Sequence, residues 1–213
     1  MPRPRLKDWE DEGISPQSCA AANICYDPHA NGIIIPHYNI DNQLVGIRIR
    51  TLIKEQEQYG KYKPAILNGK MYNHPLGFNL YNINNSKRYI QSFKRSFVFE
   101  SEKSCLKYAS YFGHDNDISV AICGSALNNY QVNLLLTLGV KEIVIALDKQ
   151  YKQVGDEECK RWTQKFYQIH NKFGKEVQIS YMFDFDTYLD YKDSPIDKGK
   201  EIFLKLYENR VII

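Results

Sequence analysis

No two of the five cysteines, Cys19, Cys25, Cys105, Cys123 and Cys159, form a C-x-x-C pair, and no Cys/His cluster has zinc-finger spacing. The sequence therefore predicts no zinc site. The odd cysteine count and the lack of a leading signal sequence point to free thiols in a reducing, intracellular setting. No apolar run approaches the roughly 20 residues that span a bilayer, so no membrane partner is expected. No internal repeat or low-complexity tract is visible, which excludes solenoid and fibrous designs.

What is present is an ordinary globular composition, long enough at 213 residues for one large domain or two small ones. The net charge of +3 is unevenly spread. Residues 30–96 hold ten Lys/Arg against three Asp/Glu, while residues 97–213 hold fifteen against seventeen. A basic segment beside a carboxylate-bearing one suits an enzyme that handles polyanions, and suits equally a solvated basic face.

Pro and Gly punctuate residues 1–31, which read as a loosely structured lead-in with a short helix at Ser15 to Asn23, capped by Ser15. Residues 32–96 form a second, basic unit. Gly32 to His37 and Leu44 to Arg50 read as a hairpin turning at Asp41-Asn42-Gln43. In its second strand Val45, Ile47 and Ile49 share one face, and Arg48 and Arg50 the other. Gly60-Lys61-Tyr62-Lys63-Pro64 and Asn73-His74-Pro75 are loop signals, and lysines among tyrosines can hold a nucleic-acid backbone and stack on bases. Asn85 to Phe93 reads as a connecting helix.

From Phe97 to Ile213 the pattern becomes regular. Strands are expected near 97–100, 118–122, 142–147 and 177–183, and helices near 102–112, 128–138, 156–173 and 198–208. Apolar strands alternating with helices predict an α/β fold with a mostly parallel sheet, preceded by an α+β basic subdomain. Two carboxylates close apolar strands: Glu100 after Phe97-Val98-Phe99, and Asp148 after Ile143 to Leu147. Residues just past the carboxyl ends of parallel strands converge on one crevice, and two carboxylates there can seat a hard divalent cation. Ion pairing of Glu100 with Lys103, and of Asp148 with Lys149, is the alternative. Gly124-Ser125-Ala126 offers backbone N–H groups to an anion at a helix start, or is a plain turn. Asp193 can complete a metal cluster, whereas Asp197 reads as the cap of the last helix.

These residues together resemble a Toprim domain, and more narrowly the catalytic core of bacterial- and phage-type DNA primases. The resemblance rests on strand–Glu100, Gly124-Ser125-Ala126-Leu127, strand–Asp148 and Asp193-Ser194-Pro195, in that order. Upstream, Gly32 to Pro36, Leu44 to Arg50, Lys61-Tyr62 and Leu80-Tyr81 resemble the basic subdomain that precedes Toprim, so the likeness runs from about Ile33 to Leu206. It implies synthesis of short RNA primers on a single-stranded DNA template from nucleoside triphosphates, with Mg2+ or Mn2+ as cofactor. The setting implied is the cytoplasm of a bacterial host, in phage or mobile-element replication.

The resemblance gives Glu100 and Asp148 catalytic roles and makes Glu100, Asp148 and Asp193 metal ligands. Arg50 and Lys61 match basic residues that hold template or nucleotide phosphate. Arg48, Lys63, Lys103, Lys149, Gly124 and Ser125 join them as candidate nucleic-acid or nucleotide contacts. Where the family commonly has Glu-Gly, an aspartate four residues on, and Asp-x-Asp, this chain has Ser101, Ser104 and Gln150. Fewer carboxylates predict weaker or fewer metal sites, so a nucleic-acid-binding module that lost part of its metal site is one alternative. A Toprim nuclease is another, and a Tyr-rich docking protein a third. Since a zinc-binding module and a helicase part are not recognised in the sequence, a replicative helicase or a separate zinc-binding module is an expected partner.

Overall fold

The computed structural model describes residues 6–124 and 126–213. Two sheets share one continuous hydrophobic core. The chain opens with helices α1 (Lys7–Asp11) and α2 (Pro16–Ala21) and strand β1 (Cys25–Asp27). Ser15 caps α2, its side chain accepting from the Ser18 N–H, and Pro16 occupies the first turn, where its missing N–H costs nothing. The expectation of a loosely structured lead-in is corrected here. Trp9, Ile14 and Ile24 are buried in the core, and β1 pairs antiparallel with the next strand.

Strands β2 (Gly32–Tyr38) and β3 (Leu44–Thr51) form the expected hairpin, with Asn42 taking the left-handed conformation its turn requires. A short helix α3 (Lys54–Glu57) leads to β4 (Tyr62–Pro64), which completes the sheet in the order β1-β2-β3-β4. The sequence showed only a loop at β4, because three residues carry too little alternation to register. A small ribbon of β5 (Ile66–Leu67) and β6 (Lys70–Met71) follows, then a 3-10 turn (Leu76–Phe78) and helix α4 (Ile83–Phe93).

The second half alternates as its hydrophobic pattern predicts: β7 (Arg95–Phe99), α5 (Glu102–Phe112), β8 (Ser119–Ala121), α6 (Asn129–Thr137), β9 (Glu142–Ala146), α7 (Glu157–Phe173), β10 (Gln178–Tyr181), α8 (Lys200–Glu208) and β11 (Val211–Ile212). The sheet order is β11-β10-β9-β7-β8, parallel except for the edge strand β11. Val98, Phe99, Val120 and Ile143 to Ala146 are inaccessible to solvent, as befits a parallel sheet covered on both faces. Each large apolar side chain so buried contributes roughly 1.5–3 kcal/mol. Asn128 caps α6 through a reciprocal capping box with Gln131, and Asp156 is the cap of α7 rather than part of its first turn.

Two features of this sheet position the site. From β7 the chain crosses to β8 on one side, whereas from β9 it crosses to β10 on the other. The seam between β7 and β9 is thus a topological switch point, the place where a crevice opens above the strand ends. The exposed edge of β8 is closed by Tyr81, whose backbone exchanges two hydrogen bonds with Ala121. That contact ties the basic half to the parallel sheet. Among the described residues no helix is long and apolar enough to cross a membrane.

Candidate active site

Glu100 leaves β7 directly after Phe99, which is paired with Ala146 at the end of β9. Asp148 follows two residues beyond Ala146, so both carboxylates emerge above the seam. The loop carrying Asp193 is tied alongside by two backbone bonds: the Lys149 N–H donates to the Asp193 carbonyl at 2.8 Å, and the Lys192 N–H to the Lys149 carbonyl at 2.8 Å. Glu100, Asp193 and Asp197 all act electrostatically on Asp148. Asp197 does not cap α8, whose cap position is Gly199 with no side-chain bond. Its carboxylate instead accepts from the Ser194 N–H at 2.9 Å and from Lys107 Nζ at 2.6 Å.

The electrostatics of this group follow from burial and crowding. Asp148 is pushed up to about 8, first by burial, then by the charges of Glu100, Asp197 and Asp193; a hydrogen bond from Ser194 opposes the rise. Its Oδ1 is buried and finds no hydrogen-bond partner among the described residues. Burial also raises Glu100, against the pull of Lys165 and of the Asp148 backbone N–H. Clustered carboxylate oxygens, one of them orphaned, are the donor set of a hard cation such as Mg2+ or Mn2+. Asp193 is already paired with Lys198 at 3.1 Å and Asp197 with Lys107 at 2.6 Å, so an ion would draw its first ligands from Glu100 and Asp148.

Ser104 donates to Ser194 Oγ at 3.0 Å and bonds Ser101 Oγ at 3.1 Å. A chain of neutral hydroxyls thus runs to Asp148 in place of a further carboxylate.

The basic residues divide into two kinds. Lys149 is 4% exposed, donating to Asp184 Oδ2 and to the Leu189 carbonyl, both at 2.8 Å. Arg48 donates to the buried Glu102 at 2.6 Å. Both are internal ion-pair cations, each matched by a buried carboxylate. Lys103 pairs with Glu12, which also lies 3.8 Å from Lys107. Lys61 is exposed beside Glu57 at 3.5 Å, and Lys63 lies over the Tyr59 ring. Gly124 is exposed at the start of its loop, and Ser125 lies outside the described residues.

Arg50 stands apart. Its guanidinium lies 5.9 Å from the ring centroids of both Trp9 and Tyr62. Its Nε and Nη1 are buried without partners among the described residues, and it lines a cavity of about 360 Å³ with Trp9, Tyr26 and Glu12. Trp9 and Glu12 were not singled out in the sequence. A tryptophan in a Pro-rich, acidic lead-in carries no periodic signal, and only the fold brings it onto β3.

No protein-family model matches the chain. The SPbeta prophage-derived protein YorJ of Bacillus subtilis strain 168 is 38% identical over 215 residues, covering 96% of this chain and 57% of YorJ. The chain thus spans little more than half the length of that curated relative. Among solved structures, the Aquifex aeolicus primase comprising zinc-binding and RNA polymerase domains aligns over 97% of this chain and 56% of its own, with a TM-score of 0.71 and 18% identity. The E. coli primase catalytic core aligns over 97% of this chain and 72% of its own, with a TM-score of 0.66 and 16% identity. A DnaG primase catalytic domain solved bound to single-stranded DNA covers the same 97%, and 74% of its own length, with a TM-score of 0.67 and 15% identity. This chain has the fold of the DnaG primase catalytic core, and its relative is a prophage protein.

Proposed function

We propose that this chain is the core of a metal-dependent primase that builds short RNA primers on single-stranded DNA during phage or mobile-element replication. The observation that carries the reading is the convergence of Glu100, Asp148, Asp193 and Asp197 above the β7–β9 seam, with a buried oxygen of Asp148 left unpartnered. Glu100, Asp148 and Asp193 would hold Mg2+ or Mn2+. When bound, such an ion supplies charge neutralisation on a triphosphate and lowers the pKa of an attacking hydroxyl.

The chain's own groups do the rest. Asp148, pushed up to about 8 by burial and its anionic neighbours, would release a proton where a cation bound. Lys165, near Glu100, is a cation available to incoming phosphate. Arg50, Lys61 and Lys63 lie on the adjoining antiparallel sheet and its loops, where they suit template phosphates, and Tyr59, 75% exposed, suits base stacking. The fold neighbour solved with single-stranded DNA supports that partner. A replicative helicase or a separate zinc-binding module would supply template recruitment.

A second reading is favoured by Ser104, Gln150 and the Lys107–Asp197 pair, which reduce the negative charge open to a cation. On that reading the chain binds single-stranded DNA without catalysis.

Incubation with single-stranded DNA, labelled nucleotides and Mg2+ or Mn2+ separates the two. New short oligomers that vanish in Glu100→Gln are expected. Shortened template would instead mark a nuclease, and DNA binding without either product, with or without metal, would mark the binding module.

A further inference from the structure

A second group of metal-ligating side chains lies apart from the carboxylate cluster and comes from three distant points of the sequence. His37 is the last residue but one of β2, Glu102 opens α5, and Cys123 lies two residues past the end of β8. One ligand atom from each lies within 4.8 Å of the others. His37 and Glu102 are each 1% exposed, with His37 Nε2 3.1 Å from Glu102 Oε1. That separation is close to the edge of a tetrahedral coordination shell with metal–ligand bonds of about 2.0–2.2 Å.

We propose that His37, Glu102 and Cys123 bind a divalent cation of the zinc type, fastening the antiparallel sheet to the first turn of α5 and to the loop after β8.

The donor set selects the ion. One imidazole nitrogen, one carboxylate oxygen and one thiolate sulfur suit a borderline-soft metal and not Mg2+. Cys123 is held at φ 53°, a conformation that costs a non-glycine residue about 1 kcal/mol or more and persists only where its surroundings require it. Beside the triad, His74 packs edge-on to His37 at 4.8 Å between ring centroids, its Nε2 buried without a partner among the described residues. The ring is seated against Gly46, where a Cβ would come within 2.0 Å of His74 Nδ1.

Arg48, bonded to Glu102 Oε1, keeps this carboxylate ionised and orients it, as outer partners of metal ligands do. On binding, the Cys123 thiol gives its proton to solvent and the thiolate takes the metal. The ligands lie two residues past Glu100 and two residues past the end of β8, so an ion here would also fix where Glu100 stands.

The full chain, stripped with a chelator and titrated with Co2+ as a spectroscopic stand-in, should develop a thiolate-to-cobalt charge-transfer band that saturates at one equivalent. Zn2+ should displace the band, and excess Mg2+ should not. Cys123→Ser and His37→Gln should abolish it, while Cys25→Ser, on β1, should retain it. Should the site variants fail to fold, alkylation of the wild-type chain decides: Zn2+ should protect Cys123, read by peptide mapping. No band in the wild type, a band that survives Cys123→Ser, or unprotected Cys123 would each overturn the site.

Discussion

Glu100 exerts the largest single charge effect on Asp148, across the seam where Phe99 pairs with Ala146. Burial and that neighbour lift Asp148 from 3.8 to about 8. The folded chain thus holds a proton between those values that the unfolded chain releases. Its contribution to stability is full below about pH 4 and is lost as pH rises to about 8.

Asp148→Asn removes this cost. In metal-free buffer at pH 8 the variant should melt roughly 5–10 °C above wild type, corresponding to a few kcal/mol. At pH 4 the two should coincide. Thermal melts at both pH values check this, and a variant no more stable at pH 8 would show that Asp148 is not crowded by carboxylates.

Glu102 shows the opposite sign. Burial alone would raise it, but the His37 hydrogen bond and the Arg48 charge outweigh burial and hold it at about 2. Its stabilisation is therefore present above its unfolded value of 4.5 and is lost as pH falls toward 2. Glu102→Gln should cost about 3–5 kcal/mol at pH 7, since it leaves Arg48 partly buried without its anion. It should also flatten the fall in stability between pH 4.5 and 2. Denaturant melts across that range, with chelator present, measure both effects.

The parallel half was legible because its strands are buried on both faces and read as unbroken apolar runs, with helices of clear period between them. Glu100, Asp148 and Asp193 could be named because carboxylates at strand ends and in the following loop stand out against that background. What escaped notice was set by tertiary contact. Asp197 reads locally as a helix cap, yet Lys107, 90 residues away, takes its carboxylate. Lys149 looks like an exposed cation beside Asp148, but alternation past the strand end cannot show that it turns inward to Asp184. His37, Glu102 and Cys123 have no spacing motif at all, since three separate elements bring them together.

Lys149 and Lys63 should separate structural from nucleic-acid cations. Lys149→Ala leaves Asp184 buried without its partner and should cost about 3–5 kcal/mol of stability. Where the variant remains folded, its single-stranded DNA affinity should keep the wild-type salt slope. Lys63→Ala should leave stability within about 0.5 kcal/mol and lower the salt slope by about one phosphate contact. Binding isotherms at several salt concentrations, with melts on the same samples, make the comparison. Equal losses of slope would return Lys149 to the binding surface.

Glu12 is the counter-charge to a set of buried or half-buried cations. It pairs with Lys103, lies 3.8 Å from Lys107, and lines the cavity into which Arg50 presents unpartnered N–H groups. Any polyanion approaching Arg50 and Lys103 must therefore compete with a carboxylate already in place. Glu12→Gln removes the competitor and keeps the side-chain volume. Lys107 retains Asp197 at 2.6 Å, so the fold should lose little, about 1 kcal/mol or less for a part-exposed pair. Single-stranded DNA affinity should rise by roughly five- to tenfold at low salt, the equivalent of about 1–1.4 kcal/mol, and the gain should shrink as salt screens the newly freed charge. Trp9→Ala, which removes the ring beside Arg50 but no charge, should not reproduce that salt-dependent gain. An unchanged affinity in Glu12→Gln would mean that DNA runs elsewhere on the basic sheet, past Lys61 and Lys63, and does not enter the Arg50 cavity.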